Sequence, residues 1–244
     1  MLSPNVVRYG ADEPLPQPAP LQAGPLSLLW DDGGLRYIRL GEHEVIRRIY
    51  VAVRDPAWNT IPATLANVQI THEAASFTVE FDAEHRQGPV DFAWHGTIAG
   101  SADGTITFSM DGQARATFLR NRIGFCVLHP PRECAGQPCA VEHSDGTIEQ
   151  GVFPRLIAPH QPFIDMRAIS HDIQPGLSAE ARFAGDIFEM EDQRNWIDDS
   201  YKTYCTPLAL PKPVEVPAGA VVWQSVTLTL RGAIPAAPAL RAEP

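Results

Sequence analysis

The stretch VDFAWHGTIAG, residues 90–100, decides how the chain is read. Val90, Phe92, Trp94 and Ile98 fall on alternate positions, with Asp91, His95 and Thr97 between them. A period of two puts the apolar set on one face of an extended chain, so the run predicts a strand with one buried and one wet face. Its neighbours ASFTVEFDAE (75–84) and GTITFSMDG (104–112) repeat the alternation, with Gly, Asp or Pro between the runs.

Outward from there the same pattern recurs. LSLLWDDGGLRYIRL (26–40) is two short runs across Asp-Gly-Gly, a hairpin signal because glycine accepts the positive φ of a tight turn. VIRRIYVAVRD (45–55), ANVQITHE (66–73), TFLRNRIGFCVLHP (117–130), GTIEQGVFP (146–154), MRAISHDI (166–173), LSAEARFAGDIFEME (177–191) and VVWQSVTLTLRG (221–232) are also strand-like. Only residues 192–201 have room for a helical turn. With 23 prolines and 18 glycines breaking the runs, the fold class predicted is all-β: a large antiparallel two-sheet β-sandwich. The number of strands points to the galactose-mutarotase-like supersandwich as its form.

Residues 14–25 are rich in Pro, Gln and Ala, and GAIPAAPALRAEP closes the chain in the same manner. The expected organisation is an extended lead-in over 1–22, one sandwich domain over 23–231 and a flexible tail over 232–244. A net charge of −10 argues against a sequence-independent nucleic-acid binder, which needs clustered Lys and Arg. The first residues show no basic segment followed by an apolar one, and no apolar run approaches the roughly 18 residues of a membrane span. A cytoplasmic protein with no membrane partner is expected. Cys126, Cys134, Cys139 and Cys205 lack the paired spacing of a zinc site and read as buried or incidental thiols.

No nucleophile elbow, zincin motif or phosphate-binding glycine loop is present, which leaves three polar clusters. In FLRNRIGFCVLHP (118–130), Arg120 and Arg122 share a strand face and can hold a carboxylate or carbonyl oxygen, with His129 at the strand end; the plain alternative is solvent-facing arginines and a core histidine. In FPRLIAPHQPFIDMR (153–167), Arg155, His160 and Gln161 crowd a proline-punctuated loop, where an imidazole can move protons near neutral pH or merely satisfy backbone groups. In GDIFEMEDQRNWIDDSYKTYCTPL (185–208), Glu189 and Glu191 share a face. Unpaired, they repel and one pKa rises, a route to a general acid or base; Arg194 and Lys202 are near enough in sequence to offset this. Gln193, Asn195, Trp196, Tyr201 and Tyr204 supply amides and aromatic faces suited to a sugar, where a solvated acidic loop would leave the aromatics exposed.

LRYIRLGEHEVIRRIYVAVRDPAWNTIP, FDAEHRQGPVDFAWHGTI, FLRNRIGFCVLHP, FPRLIAPHQPF, FEMEDQRNWIDDSYKTYCTPLALP and VEVPAG together resemble the D-apionate lactonase family over nearly the whole body, residues 8–230. The resemblance implies hydrolysis of D-apionolactone to D-apionate in bacterial catabolism of the branched sugar D-apiose. Family members continue past this β-rich region into a further C-terminal region, whereas this sequence ends at Pro244. The resemblance carries over no catalytic set, so roles follow from side-chain chemistry. Glu191 or Glu189 would activate water, His160 would protonate the leaving alkoxide, and Arg122 with Lys202 would face the oxyanion. Arg120, His129, Arg155, Gln161, Gln193, Asn195 and Tyr204 would bind substrate, with Trp196 packed on the ring. No cofactor is expected; a divalent ion held by Glu189, Glu191, Asp192 and His160 is a less favoured variant. The partner expected is a small-molecule sugar lactone. A non-catalytic carbohydrate-binding sandwich and a mutarotase- or epimerase-like enzyme are the alternatives.

Overall fold

A computed structural model describes residues 3–10, 12 and 17–234. The run that decides the class forms strand Val90–Gly100, which pairs antiparallel with Phe77–Gln87 on one side and Ile106–Ala114 on the other. Val90, Phe92, Trp94 and Ile98 are buried, as the alternation requires. Between Leu26–Asp31 and Gly34–Leu40 the chain turns through Asp32 (φ 47°) and Gly33 (φ 72°). Two successive positive φ values match the strand twist, and glycine takes its value without a Cβ clash.

Among the described residues, sixteen strands join in one hydrogen-bonded sheet. Its path runs from Ala19–Ala23 through Leu26–Asp31, Gly34–Leu40 and His43–Arg54 to Arg122–His129. It continues through Tyr201–Tyr204, Phe188–Asp192, Phe163–Gln174, Leu177–Ala184 and Val221–Gly232, and ends through Ile106–Ala114, Val90–Gly100 and Phe77–Gln87 at Ala63–His72. Pro138–His143 and Ile148–Val152 branch from Phe163–Gln174. The path doubles back, so its two halves face each other as the layers of a sandwich. Trp30 meets Phe81 edge-on across the layers at 6.2 Å between ring centroids, and Phe108 meets Phe125 at 4.9 Å. One core cluster fills the space between them, each large buried side chain contributing about 1.5–3 kcal/mol. The Gln224 side chain crosses the core, accepting from the Phe125 N–H (3.0 Å) and donating to the Ile123 carbonyl (3.2 Å).

A 3-10 turn at Gln193–Trp196 occupies the segment with room for one. Where the sequence predicts an extended lead-in over 1–22, Pro4–Tyr9 forms a short helix. Ser3 accepts from the Val6 N–H and proline occupies the first turn, a local start signal stronger than the proline-rich context. Ala19–Ala23 already pairs with Leu26–Asp31, so the sheet begins before residue 23. Of the expected tail, residues 235–244 lie outside the described residues. All four cysteines are free and buried. Among the described residues no helix is long and apolar enough to cross a membrane.

Candidate functional site

The site forms on the side of the sheet away from the core. Strand register lines up Tyr50, Cys126, Tyr204 and Glu189 in one row across four strands, and Arg48, Leu128, Lys202 and Glu191 in the next. Arg54 pairs with Arg122 at the end of the same two strands. The alternating partners Val53, Phe125, Val127, Phe188 and Met190 point into the core. Ala52, Cys126 and Tyr204, with Tyr50 against them, make a small separate apolar cluster that floors the polar face.

Glu189 and Glu191 do share this face, and each has its own partner. Lys202 Nζ lies 2.6 Å from Glu191 Oε1. The buried Glu189 Oε1 accepts from the Tyr204 hydroxyl at 2.5 Å and from the Leu208 N–H at 2.8 Å. Burial, together with that bond to Glu189, pushes the Tyr204 phenol well above its ordinary pKa, so Tyr204 stays a protonated donor. The Arg122 guanidinium sits 3.7 Å from the Tyr204 ring centre and 4.9 Å from that of Trp58, a cation between two aromatic rings. Arg54 donates to the Trp58 carbonyl at 2.9 Å and fixes that loop.

Above Glu191, Lys202 and Arg122 opens a cavity of about 460 Å³, walled by Trp58, Trp196, Gln193, Leu208 and Arg54. A second cavity of about 340 Å³ shares Trp58, Arg122 and Leu208 with it and extends toward Arg120, Thr206 and Lys212. One rim is built by Asp192, which alternates to the opposite side of its strand. Its carboxylate accepts from the Ala158 N–H (2.9 Å), the Arg194 N–H (3.1 Å) and the Arg194 guanidinium (2.9 and 2.7 Å). Burial works against its charge, yet the Arg194 and backbone donors hold its carboxyl below the usual range. Arg194 also donates to the carbonyls of Pro154, Arg155 and Leu156, and Asn195 to that of Ala158. These bonds tie the loop around 154–158 to the turn that carries Trp196.

Arg122, Glu191, Lys202, Gln193 and Trp196 therefore line one cavity, with Glu189 and Tyr204 beside its floor and Gln161 reaching the Tyr204 hydroxyl at 3.4 Å. Other sequence expectations need correction. Arg120 is not on the strand of Arg122: the chain breaks at Asn121, and Phe118–Arg120 pairs with Val214–Val216 in a separate small sheet. Arg120 instead walls the second cavity and donates to Thr206 at 3.3 Å. His129 faces the core, its Nε2 3.0 Å from Thr203 Oγ1 and its ring against Phe153 and His171. Burial first, then His171, lowers its pKa to about 3, which suits a neutral core histidine. Arg155 is exposed beside Gly136, and His160 is exposed and absent from the cavity wall. The Asn195 amide is spent on the loop. The suggested metal set does not assemble, since Asp192 is held by Arg194 on the other face, and among the described residues no group of three or more His, Cys, Asp or Glu side chains is arranged to hold a metal ion. Sequence reading misses Arg54, Trp58 and Leu208. Arg54 shares its strand face with Arg48 and Tyr50, and the lone Trp58 follows that strand in DPAWN; those are the available signals.

The model of the D-apionate lactonase N-terminal domain matches residues 6–233. A D-apionate lactonase from Brucella anthropi is 42% identical over 224 residues, covering 91% of this chain and 37% of that protein. The chain thus spans little more than a third of that relative's length. A putative aldose 1-epimerase from Escherichia coli K12 superposes with a TM-score of 0.59 at 10% identity, covering 89% of this chain and 99% of that one. A galactose mutarotase-like protein from Lactobacillus casei gives 0.54 at 8% identity, over 88% and 100% of the two chains. A GH36 α-galactosidase from Geobacillus stearothermophilus gives 0.54 at 11% identity, over 88% of this chain and 41% of its own. At such identities these likenesses show the fold, a mutarotase-like sandwich. The family match and the Brucella relative go further: this chain belongs to the family of D-apionate lactonase N-terminal domains.

Proposed function

We propose that this domain binds a sugar-derived lactone in the cavity over Glu191 and hydrolyses it, taking D-apionolactone to D-apionate. The observation that carries the reading is the Glu191–Lys202 pair at 2.6 Å, opening with Arg122 onto a cavity between Trp58 and Trp196. Aromatic walls suit the apolar face of a small sugar ring, and Gln193 suits its hydroxyls. In this mechanism Glu191 removes a proton from water as the water oxygen bonds to the lactone carbonyl carbon. The carbonyl electron pair moves onto oxygen, where Lys202 and the buried Arg122 stabilise it; both are fixed before reaction, so little reorganisation is required. Collapse of the tetrahedral species breaks the ring C–O bond, and the leaving alkoxide takes back the proton from Glu191. At neutral pH the acid product releases one proton to solvent. This assigns to one carboxylate the two transfers that the sequence divides between Glu191 or Glu189 and His160, because His160 does not line the cavity.

The Brucella relative is named a D-apionate lactonase, which supports the substrate class. The share of that relative lying beyond this domain favours a second reading, in which the domain binds the sugar and the bond is broken elsewhere in a longer chain. Proton release in a pH-stat after adding D-apionolactone separates the two. The catalytic reading expects turnover that falls by about 10²–10⁴ in Glu191→Gln, the range for a lost general base. Saturable binding with no proton release above the uncatalysed rate would leave the binding reading in its place.

A further inference from the structure

Leu156 (83% exposed), Ile157 (53%), Trp196 (73%) and Ile197 (100%) stand on the two loops that Arg194 and Asn195 tie together. A single exposed apolar side chain is ordinary, whereas several large ones grouped on adjoining loops make the kind of surface that interactions use. These four are held in place. The guanidinium of Arg194 reaches three carbonyls of one loop while its own segment carries Trp196 and Ile197. Ile197 is the most telling, a β-branched residue at φ 65°, the left-handed region that costs such side chains most. The left-handed residue closes the 3-10 turn, its N–H donating to the Arg194 carbonyl at 3.4 Å, and this leaves the Ile197 side chain wholly in solvent.

We infer that this patch is a docking surface for another part of a D-apionate lactonase chain, seated over Trp196 so that it closes the candidate cavity. Two observations fix the occupant. Trp196 belongs both to the patch and to the cavity wall, so whatever covers the one roofs the other. The Brucella relative carries most of its length outside the region it shares with this chain. Domain contacts within one chain typically bury about 600–1,500 Å², for which these four side chains make a fitting apolar centre. The inference rests on the cavity being the site proposed above, but not on its chemistry.

Hydrogen–deuterium exchange, followed by mass spectrometry, tests it on this chain and on the full-length Brucella anthropi enzyme. Peptides covering residues 154–158 and 193–199 should exchange at least about tenfold faster in this chain than the aligned peptides of the full-length enzyme, with or without turnover. The Ile197→Ser variant of this chain should melt no lower than the parent, since its side chain packs on nothing here. Equal exchange in the two proteins would overturn the inference. So would slow exchange in this chain that speeds up on dilution, because a second copy of the chain would then be the occupant.

Discussion

Lowering the pH from 7.5 to 5.0 should remove about 4 kcal/mol of stability from this domain through two core histidines. His129 and His171 lie 6.4 Å apart between ring centroids, with Phe153 packed on both. His129 Nδ1 and both ring nitrogens of His171 have no hydrogen-bond partner. Burial, and the neighbouring His171, hold His129 at about 3. Burial and then His43 hold His171 at about 4, with Asp172 pulling the other way. An unfolded imidazole titrates near 6.5, so the unfolded state takes up protons first as the pH falls. Stability is therefore full above about pH 6.5 and declines below it. At pH 5.0 each protonated imidazole favours the unfolded chain by about 2 kcal/mol, while the folded rings remain neutral. Carboxylates such as Asp192, held below their usual range, begin to matter only at lower pH, so the interval isolates the histidines. His85, also lowered by burial, acts in the same direction. Against a typical total of about 5–15 kcal/mol the loss is large. Urea unfolding followed by tryptophan fluorescence at the two pH values measures it. His129→Gln with His171→Gln should flatten the dependence by about 4 kcal/mol; a double variant that loses as much as the parent would exclude these two histidines as its source.

Glu189→Ala removes the acceptor of both the Tyr204 hydroxyl and the Leu208 N–H in a buried setting, and denaturant unfolding should register a loss of about 2–4 kcal/mol. Arg194→Ala frees the 154–158 loop from the turn bearing Trp196, so limited proteolysis should cut there at least several times faster while the overall melting temperature moves by only a few degrees.

How far the sequence reveals all this depends on whether a feature is local. Alternation in residues 75–112 is set by the period of a strand, so the sandwich is legible without any contact being known. The same period correctly puts Glu189 and Glu191 on one face. It cannot supply Lys202 opposite Glu191, because that depends on the register between two strands separated by a turn. Arg120 and Arg122 show the limit in reverse: same-face logic presumes an unbroken strand, and the break at Asn121 sends them to different sheets. Loop composition around Arg155 and His160 announces polarity but not direction, and the backbone there is spent on Arg194. His129 reads as a strand-end polar group, yet its parity with Tyr201, which it pairs with, aims it into the core.

A crystal structure of this chain soaked with D-apionate would show whether the cavity over Glu191, Lys202 and Arg122 receives the sugar ligand. The ligand carboxylate should lie on Lys202 and Arg122 with its carbon skeleton between Trp58 and Trp196. Occupancy instead of the larger polar concavity of about 620 Å³ on the far layer, beside Asp82, His95 and Asp111, would contradict it.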